Sequence, residues 1–267
     1  EVLDVPLTVA DAPDAPDLSA DADGSVEFRD VTFGYHPDRP VLHDLSFHVR
    51  PGETVALVGP TGSGKSSIMS LVHRFYDVQR GAVLVGGRDV REVTQASLGR
   101  HIAMVLQEPF LFTGTVMENI RYNSPATDDQ VFAAARAVGA HDLIARLPQG
   151  YDTLLTERGS NLSMGQRQLI SFARALVADA PILVLDEATS SIDSSTEQRI
   201  QTALQRILQG RTGLVIAHRL ATIRNADRII VLTGGRIAES GTHDELIAAG
   251  GLYARLNAAN RMSFDDL

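Results

Sequence analysis

The sequence predicts an α/β fold: a mostly parallel sheet, an antiparallel β subdomain on its amino-terminal side, and an α-helical subdomain inserted into the core. Three observations predict it. Alternating apolar segments precede a Pro51-Gly52 turn. A glycine-rich loop, Gly59-Pro60-Thr61-Gly62-Ser63-Gly64-Lys65-Ser66, follows a buried-strand pattern and opens a helical one. Two later runs, Ile182 to Leu185 and Thr212 to Ala217, are continuously apolar, as parallel strands covered on both faces are.

Composition sets the bounds. The 267 residues are 44% hydrophobic, enough for one sizeable core or one core with an inserted subdomain. A formal net charge of -9 argues against a nucleic-acid surface, which carries a basic stripe to neutralise phosphates. The absence of cysteine excludes disulfides, iron–sulfur clusters and thiolate zinc sites. No stretch reaches the roughly 18 to 20 apolar residues that span a bilayer, and the start lacks a signal-peptide pattern, so the chain as given is expected to be soluble. Residues 1–24, with Asp11-Ala12-Pro13-Asp14-Ala15-Pro16-Asp17, read as an extended acidic linker and imply something upstream.

From residue 25 the pattern changes. Val26 to Phe33 and Leu45 to Val49 alternate like half-buried strands. Between them Tyr35 sits in a loop beside Pro37 and Pro40, where its ring could stack on a base; a loop tyrosine otherwise packs or faces solvent. Glu53 to Val58 reads as a buried strand feeding the glycine-rich loop, and Ser66 to Arg74 as the helix after it. The loop fits GxxxxGK[ST]: glycines let backbone N–H groups turn onto phosphates, Lys65 supplies a mobile cation, and Ser66 is placed to ligate Mg²⁺.

A helical block from about Ser124 to Leu147, with Val131, Ala134, Ala135 and Val138 at helical spacing, belongs to an inserted subdomain of about 115–178. Within it, Leu162-Ser163-Met164-Gly165-Gln166 is a second anion-binding helix start, with Ser163 capping a helix that runs to about Ala178. One triphosphate does not need both loops from one subunit, so the pairing suggests nucleotide sandwiched between two copies of the domain. The strand from Ile182 ends in Asp186-Glu187, where open α/β sheets place ligands; Asp186 can hold hydrated Mg²⁺ and Glu187 can reach a water. The strand from Thr212 ends at His218, which can donate to a terminal phosphate. Arg228 to Val231, Gly234-Gly235 and Arg236 to Glu239 read as a hairpin. Helices from about His243 complete a domain ending near residue 258, before a short tail, 259–267.

Together these motifs resemble the nucleotide-binding domain of ATP-binding cassette transporters, most closely the exporter type in which this domain follows a membrane-spanning half. The resemblance runs from Val26 to Asn257 and implies a P-loop NTPase core. Tyr35 resembles the adenine-stacking aromatic, Gly59 to Ser66 the Walker A loop, and Gln107 the Q-loop glutamine. Thr156-Glu157-Arg158-Gly159 is similar to the exporter X-loop and Leu162 to Gln166 to the signature. Ile182 to Glu187 resembles Walker B, Ser190-Ser191-Ile192-Asp193 the D-loop, and His218 the switch histidine.

The resemblance implies ATP and Mg²⁺ as cofactors. Nucleotide contacts fall to Tyr35, Gly59, Pro60, Thr61, Gly62, Ser63, Gly64, Lys65, Ser66, Ser67, Ser163, Gly165, Gln166 and Asp193, and metal contacts to Ser66, Gln107 and Asp186. Catalysis falls to Glu187, with His218, Gln107 and Lys65. The implied partners are a transmembrane domain of the same polypeptide and a second nucleotide-binding domain, at the cytoplasmic face of the cell membrane. Two positions depart from the family pattern: Met164 stands where a glycine is usual, and Ser191-Ile192 replaces Ala-Leu. Met164 is expected to crowd a surface that approaches phosphate, which favours an asymmetric heterodimer over a homodimer. Two alternatives are a soluble, non-transport ATPase of the superfamily and an ATP-gated clamp with little turnover. The compact helical block and single domain oppose the first; Glu187 and His218 oppose the second.

Overall fold

The computed structural model describes residues 9–187, 194–217 and 219–265. Its strands are β1 (Val26–Phe33), β2 (Leu42–Val49), β3 (Thr54–Val58), β4 (Arg80–Val85), β5 (Arg88–Asp89), β6 (Ile102–Val105), β7 (Gly114–Thr115), β8 (Leu154–Leu155), β9 (Ile182–Asp186), β10 (Thr212–Ile216), β11 (Arg228–Thr233) and β12 (Arg236–Gly241). Its helices are α1 (Lys65–Val72), α2 (Gln95–His101), α3 (Val116–Arg121), α4 (Asp128–Ala137), α5 (His141–Ala145), α6 (Met164–Val177), α7 (Ser194–Leu208), α8 (Leu220–Asn225), α9 (His243–Ala249) and α10 (Leu252–Asp265).

Two sheets carry the fold. A six-stranded sheet runs in the order β12-β11-β3-β10-β9-β6, with β11, β3, β10, β9 and β6 parallel and β12 antiparallel at its edge. A four-stranded antiparallel sheet, β2-β1-β4-β5, holds the amino-terminal subdomain. Successive residues of a strand face opposite sides, and both faces of the parallel sheet are dry. Val55, Leu57, Val184, Leu214 and Ile216 join α1 and the antiparallel sheet in one core. Ala56, Val58, Leu183, Leu185 and Val215 join α6 and α7 in the other. That double coverage is why β9 and β10 read as unbroken apolar runs rather than alternating ones.

The helical subdomain comprises α3 to α6 and the β7–β8 pair. Val131, Ala134 and Ala135 bury the inner face of α4, and Thr127 opens it with a capping box shared with Gln130. The expected hairpin is β11–β12, turning on Gly234 and Gly235 at φ 53° and 73°. A Cβ at Gly235 would lie 2.0 Å from the Val41 carbonyl oxygen, so the turn can close against β2 only without a side chain.

Residues 9–24, expected as an extended linker, lie against the domain as a strap. Arg74, just past α1 and 3% exposed, donates from its guanidinium to Asp11 Oδ1 at 3.2 Å and to the Ala10 carbonyl oxygen at 3.0 Å. Leu18 is buried in the core that α1 shares, and the His101 ring of α2 bridges the carbonyls of Ser97 and Ser19. Apolar anchorage and a buried cation hold a segment whose composition alone gives no reason to dock. At the other end, α10 continues to Asp265, past residue 258. Among the described residues, no helix is long and apolar enough to cross a membrane.

Candidate nucleotide-binding and active site

The candidate residues gather beyond the carboxyl ends of neighbouring parallel strands, the edge where open α/β sheets hold ligands. The glycine-rich loop leaves central β3 and enters α1. Gly59, Gly62 and Gly64 have φ of 156°, 80° and 102°. Gly59 also passes so close to β11 that a Cβ would stand 2.2 Å from the Leu232 carbonyl oxygen. Gly62 has no atom within 4 Å of its would-be Cβ, so the outer wall of the loop is open. Pro60, Thr61, Gly62 and Ser66 are exposed there, while Ser63 and Ser67 are buried beneath. No side chain caps α1, which leaves its first turn of N–H groups directed at the loop.

Lys65 begins α1 and folds back over the loop. Its ammonium donates to the carbonyl oxygens of Gly59 at 2.7 Å and Pro60 at 3.0 Å. Burial lowers its pKa, and the neighbouring Asp186 carboxylate opposes that shift. Asp186, which ends β9, is raised by burial and pulled back by Lys65. Desolvation outweighs mutual attraction for both charges, so each is held at a cost that an anion beside Lys65 and a cation beside Asp186 would relieve.

Glu187, 6% exposed, follows Asp186, and its backbone N–H donates to the Ile216 carbonyl oxygen at 3.1 Å. Its Oε2 accepts from the Arg219 backbone N–H at 3.1 Å, and its Oε1 accepts from the Thr222 hydroxyl. Gln107 is exposed two residues past the end of β6, whose Val105 pairs with Leu185 of β9. Tyr35, 48% exposed, sits edge-on to Phe33 and Tyr76 at centroid distances of 5.1 Å, with its hydroxyl 3.1 Å from Ser67 Oγ of α1. His218 and the 190–193 segment with Asp193 lie outside the described residues.

Ser163 caps α6, which ends at Val177 with Ala178 as its C-cap, through a capping box: the Gln166 N–H donates to Ser163 Oγ at 3.3 Å and the Ser163 N–H to Gln166 Oε1 at 2.8 Å. Gly165 is buried behind this turn. Among the described residues no hydrogen bond joins this helix start to the loop of residues 59–67. Met164, the departure from the family pattern, is half-buried in the first turn of α6. Its sulfur lies 3.7 Å from the Arg167 guanidinium, one turn along α6, because a flexible thioether can turn along the helix.

The donors fit Mg²⁺. Ser66, Asp186 and Gln107 offer hydroxyl, carboxylate and amide oxygens, the hard donors this ion takes alongside water and phosphate. Among the described residues no group of three His, Cys, Asp or Glu gathers to hold a metal alone. Sequence reasoning missed Thr222 and the Arg219 N–H, which reach Glu187 from the start of α8, and Tyr76, which braces Tyr35. No motif singles them out; their roles arise from contacts 32 to 41 residues apart in the chain.

A glycine-rich loop between a central parallel strand and a helix, with an aspartate ending a strand two places along, defines a P-loop NTPase fold. The chain belongs to the ABC transporter family, whose model matches residues 42–190. It is 51% identical over 257 residues to an uncharacterized ABC transporter ATP-binding protein, YknV, of Bacillus subtilis (strain 168), covering 96% of this chain and 42% of that protein. It is 49% identical to the Beta-(1→2)glucan export ATP-binding/permease protein NdvA of Nitrobacter winogradskyi, over 98% of this chain and 43% of that protein. It is 48% identical to an ATP-dependent lipid A-core flippase of Syntrophus aciditrophicus, over 96% and 42%. A solved bacterial Atm1-family ABC exporter with ATP bound superimposes with a TM-score of 0.90 at 46% identity, covering 97% of this chain and 45% of that one. The chain thus spans less than half the length of these relatives.

Proposed function

We propose that this chain is the ATP-binding and ATP-hydrolysing domain of an ABC exporter, closing with a second such domain around two ATP molecules to power transport. The observation that carries the reading is the meeting of the phosphate loop, Lys65, Asp186 and Glu187 at one edge of the parallel sheet. In this reading the N–H groups of residues 59–67 and the Lys65 ammonium hold the phosphates, and Tyr35 offers its open face to the base. Ser66, Asp186 and Gln107 hold Mg²⁺, which neutralises phosphate charge when bound. Glu187 takes the proton of the attacking water as it adds to the γ-phosphorus and the bond to ADP breaks. His218 stabilises the developing charge, and Asp193 joins the interface between the domains.

The start of α6, with Ser163 exposed, Gln166 half-buried and Gly165 behind them, serves the nucleotide of the opposite domain. Met164 is the one departure there that favours a non-identical partner. Two equivalent occluded nucleotides in intact protein made from this chain alone would rule that preference out.

Several relatives are named as exporters or as joint ATP-binding/permease proteins, which supports a transmembrane domain in the same polypeptide and a position at the cytoplasmic face of the membrane. An exposed aromatic patch of Phe110, Phe112 and Tyr122, in which the Phe112 and Tyr122 rings stack with Arg174, suits contact with such a domain. The test is Glu187→Gln: the variant binds ATP and pairs, yet releases phosphate at a small fraction of the wild-type rate. Turnover near wild type removes Glu187 from this role, and absence of turnover in the unmodified protein favours the clamp instead.

A further inference from the structure

We propose that Thr222 is a positioning residue for Glu187, with Gln201 of α7 holding Thr222 in turn; the proposal rests on the reading of Glu187 as the base. The backbone of Glu187 is pinned by its N–H bond to Ile216, so the direction of the carboxylate is decided by the side chain alone. Two donors from one short segment contribute to that decision. The Arg219 N–H meets Oε2 at 3.1 Å, and the Thr222 hydroxyl donates to Oε1. Because they engage different oxygens, they fix both where the carboxylate lies and how it is turned, which a single hydrogen bond cannot do.

Thr222 is itself buried, and its hydroxyl lies 3.3 Å from the Gln201 side-chain oxygen, while Gln201 Nε2 is buried with no partner among the described residues. One hydroxyl proton cannot serve two acceptors. Turning the Gln201 amide over resolves this: Nε2 then donates to Thr222 Oγ1, whose proton goes to Glu187. The result is a directed series, from Gln201 of α7 to Thr222 of α8 to the carboxylate beyond β9. It ties three elements to the group that must face water, and a displacement of about 1 Å in such a group is enough to slow chemistry by about 100-fold.

The test measures ATP turnover and ATP affinity of the intact protein that carries this chain. T222V keeps the shape of the side chain and removes the hydroxyl. Its kcat is expected to fall about 10- to 100-fold with KM for ATP within about twofold, the size of effect a hydrogen bond to a charged group produces. T222S, which keeps the donor, is expected to recover most of the rate. Q201L is expected to lower kcat less than T222V, and the double variant to be no slower than T222V, because Gln201 acts through Thr222.

Wild-type kcat in T222V, an equal defect in T222S, or equal changes in kcat and KM each overturn the proposal. If T222V fails to fold, Q201L carries the test: an unchanged kcat there overturns it, and a lower kcat at constant KM upholds it. E187Q in the same assay keeps the two levels apart. An active E187Q sinks the reading of Glu187 as the base, whereas an inactive E187Q beside a fully active T222V sinks only the role of Thr222.

Discussion

The Lys65 ammonium stands 2.7 Å from the carbonyl oxygen of Gly59, so the first residue of α1 closes the loop that precedes it. Lys65 therefore shapes the loop before it meets any ligand. In Lys65→Ala both contributions go, and ATP turnover is expected to fall at least about 100-fold, with the loss shared between binding and rate. Phosphate release and nucleotide titration measure the two parts.

The glycines of the loop separate a clash from a backbone strain. At Gly62 an added Cβ meets nothing within 4 Å, so Gly62→Ala costs only the left-handed backbone, about 1–2 kcal/mol. At Gly59 the same Cβ would run into the Leu232 carbonyl of β11, a rigid neighbour. Gly59→Ala is expected to cost at least about 1 kcal/mol more than Gly62→Ala, read as the difference in urea unfolding free energy.

The capping box at Ser163 is a stability element in its own right. Ser163→Ala removes the acceptor of the Gln166 N–H and is expected to cost about 0.5–2 kcal/mol, with Ser163→Thr recovering most of it. Denaturant unfolding of the two variants checks this independently of any activity.

His73, at the end of α1, has its pKa lowered by burial to about 4. Between that value and about 6.5 the unfolded chain binds a proton that the folded chain does not. Stability present above about pH 6.5 is therefore lost as pH falls toward 4, by about 1.4 kcal/mol per pH unit from this group. His73→Gln is expected to flatten that slope in unfolding curves taken between pH 6.5 and 4.

Much of the architecture is legible in the sequence because its signals are local. β9 and β10 announce themselves by apolar runs, the phosphate loop by its glycines and Lys65, and α6 by Ser163 and the Gln166 three residues on. The hairpin of β11 and β12 is legible from Gly234-Gly235. What is not legible depends on neighbours distant in the chain. Nothing in Leu220–Asn225 marks Thr222 as the donor to Glu187, 35 residues away. The contact of the Met164 sulfur with Arg167 is likewise a matter of side-chain direction that the residue type does not give. The docking of residues 9–24 is hidden because their acidic, proline-bearing composition is that of unattached chain, and the cation that recruits Asp11 lies 63 residues on.

That strap and the phosphate loop meet opposite ends of one helix. Arg74 grips Ala10 and Asp11 at one end of α1, while the opposite end of the same helix begins with Lys65 over the loop. The strap and the residues around Gly59 are thus joined through the two turns of α1.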